Sequence, residues 1–476
     1  MVTVRSAQFP KASAKAIQDP HLQRLLGRIM RQLRDARAMA VDDISEQEWE
    51  LLRQRARDIK AEAINHLDYY LDLLDRSVRR NGGYVHFVRT AAEANETVLT
   101  IAKRQGVKHV VKAKSMVTEE IGLTAFLERE GIETVETDLG EFIVQLAQEP
   151  SSHIVVPALH KSRQDVSELF QRKLQTQPTT DVDELCGITR EKLRERFVEA
   201  EMGITGANFL VAETGTVVLV TNEGNGRMTT SLPRVHVVVA GLEKVVPALE
   251  DVGVFLKLLA RSATGQRMTS YTTFASGPRG PSDEDGTEEF HLVIVDNGRT
   301  KLLRDEELRE ALYCIRCGAC SNVCPVYGKV GGHAYGWVYS GPIGAVLAPV
   351  LTSQKQAKHL PYASTLCGAC RDVCPVKIDL PKLLLRLRQH AAEGGPQGRR
   401  INTWMERLLV RRWSGAVRTR QAMERSLGLA RLLQKPLLRS VPVPLRGSWT
   451  KDRDFPVVAS ESFHHLWKAR LGRTES

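Results

Sequence analysis

Residues 107–137, VKHVVKAKSMVTEEIGLTAFLEREGIETVET, set two short apolar runs, VKHVVKA and IETVET, on either side of the segment TEEIGLTAFLEREG, whose apolar residues fall at helical spacing. Short runs rich in β-branched residues read as strands, and spacings of three and four read as an amphipathic helix. The alternation begins earlier. After the turn signal Asn81-Gly82-Gly83 come YVHFV and a helical pattern through AAEANETVLTIAKRQ. Strand, helix, strand in succession predicts an α/β layer fold with parallel strands and right-handed crossovers. Further on, NFLVAETGTVVLVTNEGNGRMTTSLPRVHVVVAG (208–241) predicts three strands joined by Gly-rich or polar turns, and FHLVIVDNGRT (290–300) a last strand. Upstream, from about residue 20 to 80, apolar residues at helical spacing predict a helical lead-in.

The chain has 476 residues, 42% of them hydrophobic, enough for two or three domains with a sizeable apolar core. No apolar run approaches the roughly 18 residues that cross a bilayer. IGAVLAPVL (343–351) is half that length and contains Pro349. The first 20 residues carry no apolar h-region before a small-residue cleavage site, so the expected location is the cytoplasm. Charge is unevenly spread. The chain's net +11 comprises +12 between Pro381 and Trp449 and −1 elsewhere. Trp404, Trp413 and Trp449 interleave with this basic stretch, as in nucleic-acid binders, but no nucleic-acid motif is present. RLLVRRWSGAV and QAMERSLGLARLLQ also carry apolar residues at helical spacing. A helical arm docking on an acidic partner, or peripherally on an anionic membrane surface, accounts for both faces, and nucleic acid is the weaker reading.

Seven of the eight cysteines lie between Cys314 and Cys374. So dense a group in a reducing compartment points to metal or redox chemistry rather than disulfides. Cys314-x2-Cys317-x2-Cys320-x3-Cys324-Pro325 matches the bacterial ferredoxin run, in which three thiolates hold one cluster and the cysteine before proline ligates the other. The run recurs in STLCGACRDVCP (364–375), with Ser364 where the first cysteine would stand. Crossing the two repeats assigns Cys314, Cys317, Cys320 and Cys374 to cluster 1 and leaves Cys324, Cys367 and Cys370 for cluster 2. Structural zinc sites use separated pairs and give no reason for this triple followed by proline. The fourth position of cluster 2 has four candidate solutions: the Ser364 oxygen, water or hydroxide, a three-iron cluster, or a ligand from elsewhere such as Cys186, His333 or a partner. Serine oxygen is a hard donor at a soft site, and local hydrogen bonding to backbone is the simpler role for Ser364. Cys186, alone in ELCGITREKLRERF, reads as a small buried apolar residue.

In the α/β region, ETGTVVLVTNEGNGR (213–227) offers Gly-rich turns after strands that could cradle a carboxylate or phosphate, with Lys114, Ser115, Glu213 and Arg227 as polar residues to face it. Its GNG is only a fragment of a dinucleotide fingerprint, and structural turns are the simpler reading.

CIRCGACSNVCPVY, GGHAYGWVYSGPIGAVLAP and LCGACRDVCPVKIDLP together resemble the lactate utilization protein B family, the iron–sulfur subunit of a bacterial NAD-independent L-lactate oxidation system. The resemblance extends upstream through KAKSMVTEEIGL, ETDLGEFIVQLA, SHIVVPALHK, MGITGANFLVAETGTVVLVTNEGNGR and RSATGQR. It implies an α/β domain related to the ribose-phosphate isomerase and CoA-transferase folds, followed by a mainly helical two-cluster ferredoxin-type domain. The expected organisation is a helical lead-in (1–80), the α/β domain (81–300), the ferredoxin-type domain (301–395) and a basic helical tail (396–476). The resemblance also implies two 4Fe-4S clusters on the seven cysteines as assigned, the second with three cysteines. Two partner proteins follow from it, one with cysteine-rich motifs like those of heterodisulfide reductase, and an electron acceptor at the membrane. Similar subunits of glycolate or glycerol-3-phosphate oxidising complexes are the alternative. An iron–sulfur sensor or nucleic-acid-binding protein is a weaker one, since a sensor needs only one cluster.

Overall fold

The computed structural model describes residues 4–395, 400–401, 403–434 and 459–471. Residues up to Ile401 form one compact unit and those from Asn402 a second.

The first unit is built on six parallel strands. β1 (Tyr84–Val88), β2 (His109–Lys112), β3 (Glu133–Glu136), β4 (Met202–Thr205), β7 (Val235–Gly241) and β10 (Glu289–Val295) lie in the order β1-β10-β7-β4-β2-β3. β7, VHVVVAG, is buried at every residue, because a central strand covered on both faces needs a continuous apolar run rather than alternation. β5 (Phe209–Val211), β6 (Thr216–Thr221), β8 (Val245–Val246) and β9 (Tyr271–Ala275) make a smaller mixed sheet in the order β8-β5-β6-β9. The parallel sheet and the strands of 208–241 follow the expectation, with two local differences. The helix expected over TEEIGLTAFLEREG breaks at Gly122, in the left-handed conformation, into Met116–Ile121 and Leu123–Arg129. The GNG segment, expected as a turn between strands, opens a short helix, Asn225–Ser231. That helix lies so close over β4 that a Cβ on Gly203 would fall 1.9 Å from the Thr229 carbonyl oxygen.

The lead-in forms the helices Pro20–Asp42, Glu46–Asn65 and Leu67–Arg80, the first two capped by the Asp19 and Ser45 side chains. It is packed into the unit. Lys60, 2% exposed, donates to the carbonyls of Glu243 and Val245, and Arg53 Nε donates to the carbonyl of Cys374 at 3.0 Å. IGAVLAPVL falls within the helix Gly341–Leu351, every residue of which is buried, so this apolar run is core. Among the described residues no helix is long and apolar enough to cross a membrane.

The second unit contains the helices Trp404–Val417, Arg420–Gln434 and Phe463–Leu471. Trp404 and Trp413 are exposed, and no residue of Trp404–Val417 is buried. Trp449 lies outside the described residues. Part of the basic stretch belongs instead to the first unit, where Arg386 pairs with Glu307 at 2.7 Å and Arg388 stacks over Tyr362.

Candidate metal centre

The two cysteine loops share one backbone plan. A residue with positive φ precedes the second position of each repeat, Arg316 at 63° and Leu366 at 56°. A glycine with positive φ follows it, Gly318 at 76° and Gly368 at 89°. Each glycine opens a one-turn helix, Ala319–Asn322 or Ala369–Asp372. Each turn ends at a Cys-Pro, Cys324-Pro325 or Cys374-Pro375. Short turns of this kind bring three side chains of one loop to one side while the cysteine before proline leaves for the other centre.

Cys314, Cys317, Cys320 and Cys374 line one cavity, whose remaining wall is Arg316 and apolar groups including Ile315, Ile343, Val376 and Ile378. The structure brings these four cysteines together. Burial pushes the Cys317 and Cys320 thiols well up and carries Cys374 to about 11, and the thiols reinforce one another. Cys324 and Cys367 are the electrostatic neighbours of Cys370, which burial raises to about 12. Cys367 is exposed, and its thiol is lowered by hydrogen bonds from the Thr365 side chain and the Ala369 N–H. Among the described residues no group of three or more His, Cys, Asp or Glu side chains is arranged to hold a single metal ion.

The donor set fits a polynuclear iron–sulfur centre. Backbone N–H groups of Arg316, Ile378 and Tyr327 donate to the sulfurs of Cys314, Cys374 and Cys324 at 3.4, 3.4 and 3.5 Å, as they would to coordinated sulfurs. Buried thiols with raised pKa ionise only beside a positive partner, and coordinated iron provides one. Cys314, Cys317, Cys320 and Cys374 could hold one such group, and Cys324, Cys367 and Cys370 a second. When bound, it supplies one-electron transfer.

Charged side chains from the carboxyl ends of the parallel strands reach the Cys314 cavity. Glu243, two residues beyond the end of β7, accepts from Arg299 Nε at 2.6 Å and from Arg316 at 3.1 Å. Arg299, beyond β10, also holds Glu120 through two bonds of 2.9 and 2.8 Å, and Tyr339 donates to the same carboxylate at 2.8 Å. The Arg316 guanidinium lies 4.8 Å from the Tyr339 ring centroid. Burial alone would raise the Glu243 carboxyl, but Arg299 and Arg316 beside it carry it down to about 2. Burial lowers Lys60 to about 7 and Lys244 to about 8, and the Cys314 sulfur is an electrostatic neighbour of both lysines and of Arg316. Four buried basic side chains and two carboxylates therefore form one network beside the Cys314 site. Breaking such a buried pair by removing one partner costs about 3–5 kcal/mol. Arg316 could be seen in the sequence only as a filler between two cysteines, and Glu243, Arg299, Glu120 and Lys60 carry no local signal, since tertiary folding alone assembles them.

The remaining candidates separate. Lys114 faces Glu141 at 3.5 Å, and Ser115 caps the helix Met116–Ile121 through the Thr118 N–H. Glu213 instead sits in the β5–β6 turn and accepts from the Leu249 N–H at 3.1 Å, while Arg227 is exposed on the helix Asn225–Ser231. The four do not form a common cradle through any described bond, and the Gly-rich segment serves helix–strand packing. Cys186 is half-buried rather than buried, on the helix Val182–Glu199, whose Leu185, Leu193 and Phe197 pack in a core cluster separate from the one holding the cysteine loops. His333 Nε2 lies 2.7 Å from the Pro150 carbonyl and its ring packs on His160. The Ser364 hydroxyl accepts from the Leu366 N–H at 3.1 Å, the local bond expected of it.

Residues 71–295 match the LUD domain family and residues 310–378 the 4Fe-4S dicluster domain family. Lactate utilization protein B of Oceanobacillus iheyensis is 43% identical over 474 residues, covering 98% of each chain. An uncharacterized electron transport protein, YkgF, of Escherichia coli K12 is 42% identical over 471 residues with the same coverage. A solved DUF162 family protein from Deinococcus radiodurans, 14% identical, covers 48% of this chain and 98% of its own at a TM-score of 0.28, too low to bear on the fold. With near-complete coverage at more than 40% identity, and with the cysteine loops in place, the chain belongs to the lactate utilization protein B family.

Proposed function

We propose that this chain is the iron–sulfur electron-transfer subunit of a multi-protein system that oxidises L-lactate to pyruvate. The observation that carries the reading is the gathering of Cys314, Cys317, Cys320 and Cys374 around one apolar cavity, with Cys324, Cys367 and Cys370 as a second set. In this proposal the first four cysteines hold one 4Fe-4S cluster and the other three hold the second. Close clusters in crossed repeats suit outward electron flow rather than a structural role. The relatives' names supply the substrate, and the partners are two other lactate-utilization proteins, one with heterodisulfide-reductase-like cysteine motifs, together with an acceptor at the membrane.

The chain purified anaerobically with its co-purifying proteins is expected to carry about seven to eight irons and matching acid-labile sulfide, as two such clusters require. The assembly should reduce a dye when given L-lactate. Four irons or fewer after full reconstitution, or stoichiometric zinc, would sink the two-cluster reading, and dye reduction with glycolate or glycerol 3-phosphate but not L-lactate would move the substrate.

A further inference from the structure

We propose that the Ser364 hydroxyl oxygen is the fourth protein ligand of the second centre, completing Cys324, Cys367 and Cys370. The inference rests on the two-cluster reading and adds to it the one position that cysteine spacing leaves open.

The argument is the internal match of the two loops. Ser364 stands three residues before Cys367, as Cys314 stands three before Cys317. The backbone of the two loops shares its left-handed positions. Arg316 and Leu366 share a left-handed φ, as do Gly318 and Gly368. The turns that follow repeat bond for bond: Ser321 N–H to Gly318 O at 2.9 Å against Arg371 N–H to Gly368 O at 2.8 Å, then Cys324 N–H to Ser321 O and Cys374 N–H to Arg371 O, both at 3.2 Å. Left-handed φ at Leu366 is costly for a branched residue and persists only where the surroundings require it.

The decisive bond concerns the first position itself. The Arg316 N–H donates to Cys314 Sγ at 3.4 Å, and the equivalent Leu366 N–H donates to Ser364 Oγ at 3.1 Å. The oxygen therefore occupies the place in its loop that the ligand sulfur occupies in the other, and accepts the same donor. Hydrogen bonding to Leu366 does not mark Ser364 as a bystander, because Cys314 makes that bond as well. Two anchors fix the segment: Arg388 donates to the carbonyls of Pro361 at 2.9 Å and Ser364 at 3.4 Å. The other side chains considered for the position lie elsewhere, His333 at Pro150 and Cys186 on the helix Val182–Glu199, whose Leu185, Leu193 and Phe197 pack in another core cluster.

Chemically, Ser364 would hold the iron through its oxygen with the hydroxyl proton lost to solvent, and the Leu366 N–H would donate to that oxyanion. Oxygen is harder than thiolate, so the iron it binds is the most weakly held of the set and differs from the others in its electronic environment.

The test uses the full chain, isolated and reconstituted anaerobically with 57Fe, with iron analysis, Mössbauer and EPR spectra. Wild type should show one iron distinct from the thiolate-bound ones. Ser364→Ala should lose about one iron per chain on mild oxidation and give a three-iron EPR signal at severalfold the wild-type intensity. Ser364→Cys should keep that iron under the same treatment while abolishing its distinct Mössbauer signature. Ser364→Ala and Ser364→Cys spectra both indistinguishable from wild type overturn the proposal. If Ser364→Ala fails to load the second centre, Ser364→Cys decides: an altered signature supports ligation, and an unaltered one overturns it. A wild-type chain that takes up four irons or fewer overturns the two-cluster reading as well, whereas a fully loaded chain with silent variants overturns only the ligand.

Discussion

Arg316 shows how one residue joins two parts of the unit. It stands between Cys314 and Cys317 in a left-handed backbone conformation, and its side chain is buried against Glu243 and Tyr339. Adding an electron to the adjacent thiolate-bound centre adds negative charge, which nearby buried cations favour and nearby carboxylates oppose. Arg316→Gln is thus expected to make reduction of cluster 1 about tenfold less favourable, ~59 mV for one electron. Glu243→Gln should shift it the other way, and Arg316→Lys should stay near wild type. EPR-monitored redox titration reads all three. Shifts of the same sign in the Gln variants would mean that the network is only mechanical cement.

At the scale of elements, the short helix Asn225–Ser231 explains the Gly-rich segment that resembled a ligand cradle. Its backbone lies on β4, and Gly203 is the residue that permits the approach. Gly203→Ala would press a methyl group against the Thr229 carbonyl, and the strand or helix must shift to relieve it. Such overpacking costs about 1–3 kcal/mol, read as a lower denaturant midpoint at unchanged m. Gly187, on the helix Val182–Glu199, has nothing within 4 Å of an added Cβ, so Gly187→Ala is the neutral or mildly stabilising control. An unchanged midpoint in Gly203→Ala would show that the packing is looser than drawn. The carboxyl ends of the strands of such sheets are where ligands bind in α/β folds. Here the segments beyond β7 and β10 carry Glu243, Lys244 and Arg299 toward the cysteine loops.

For the whole molecule, the boundary at residue 401 separates the cysteine-bearing unit from a basic helical one. The helix Trp404–Val417 exposes Trp404, Leu409 and Trp413 among its arginines, a surface suited to an acidic or anionic partner. Deleting the residues after 401 should leave the iron content unchanged while weakening assembly with the partners, most of all at low ionic strength, where the charge acts furthest. Loss of iron on truncation would instead make the tail part of the metal-binding unit. The sequence alone determined the alternation of strands and helices and the spacing of the cysteines, because both are local: a strand's apolar run and a loop's ligand spacing lie within a dozen residues. It also marked Ser364 as the irregular position, but not what that residue does. Only the tertiary structure decided that the Gly-rich segment opens a helix packed on a strand, and that Lys60, Glu120, Glu243, Arg299 and Arg316 join in one network that reaches Cys314. Those groups are up to 256 residues apart in the chain, and no periodicity or motif encodes a contact that exists only when separate elements fold against each other.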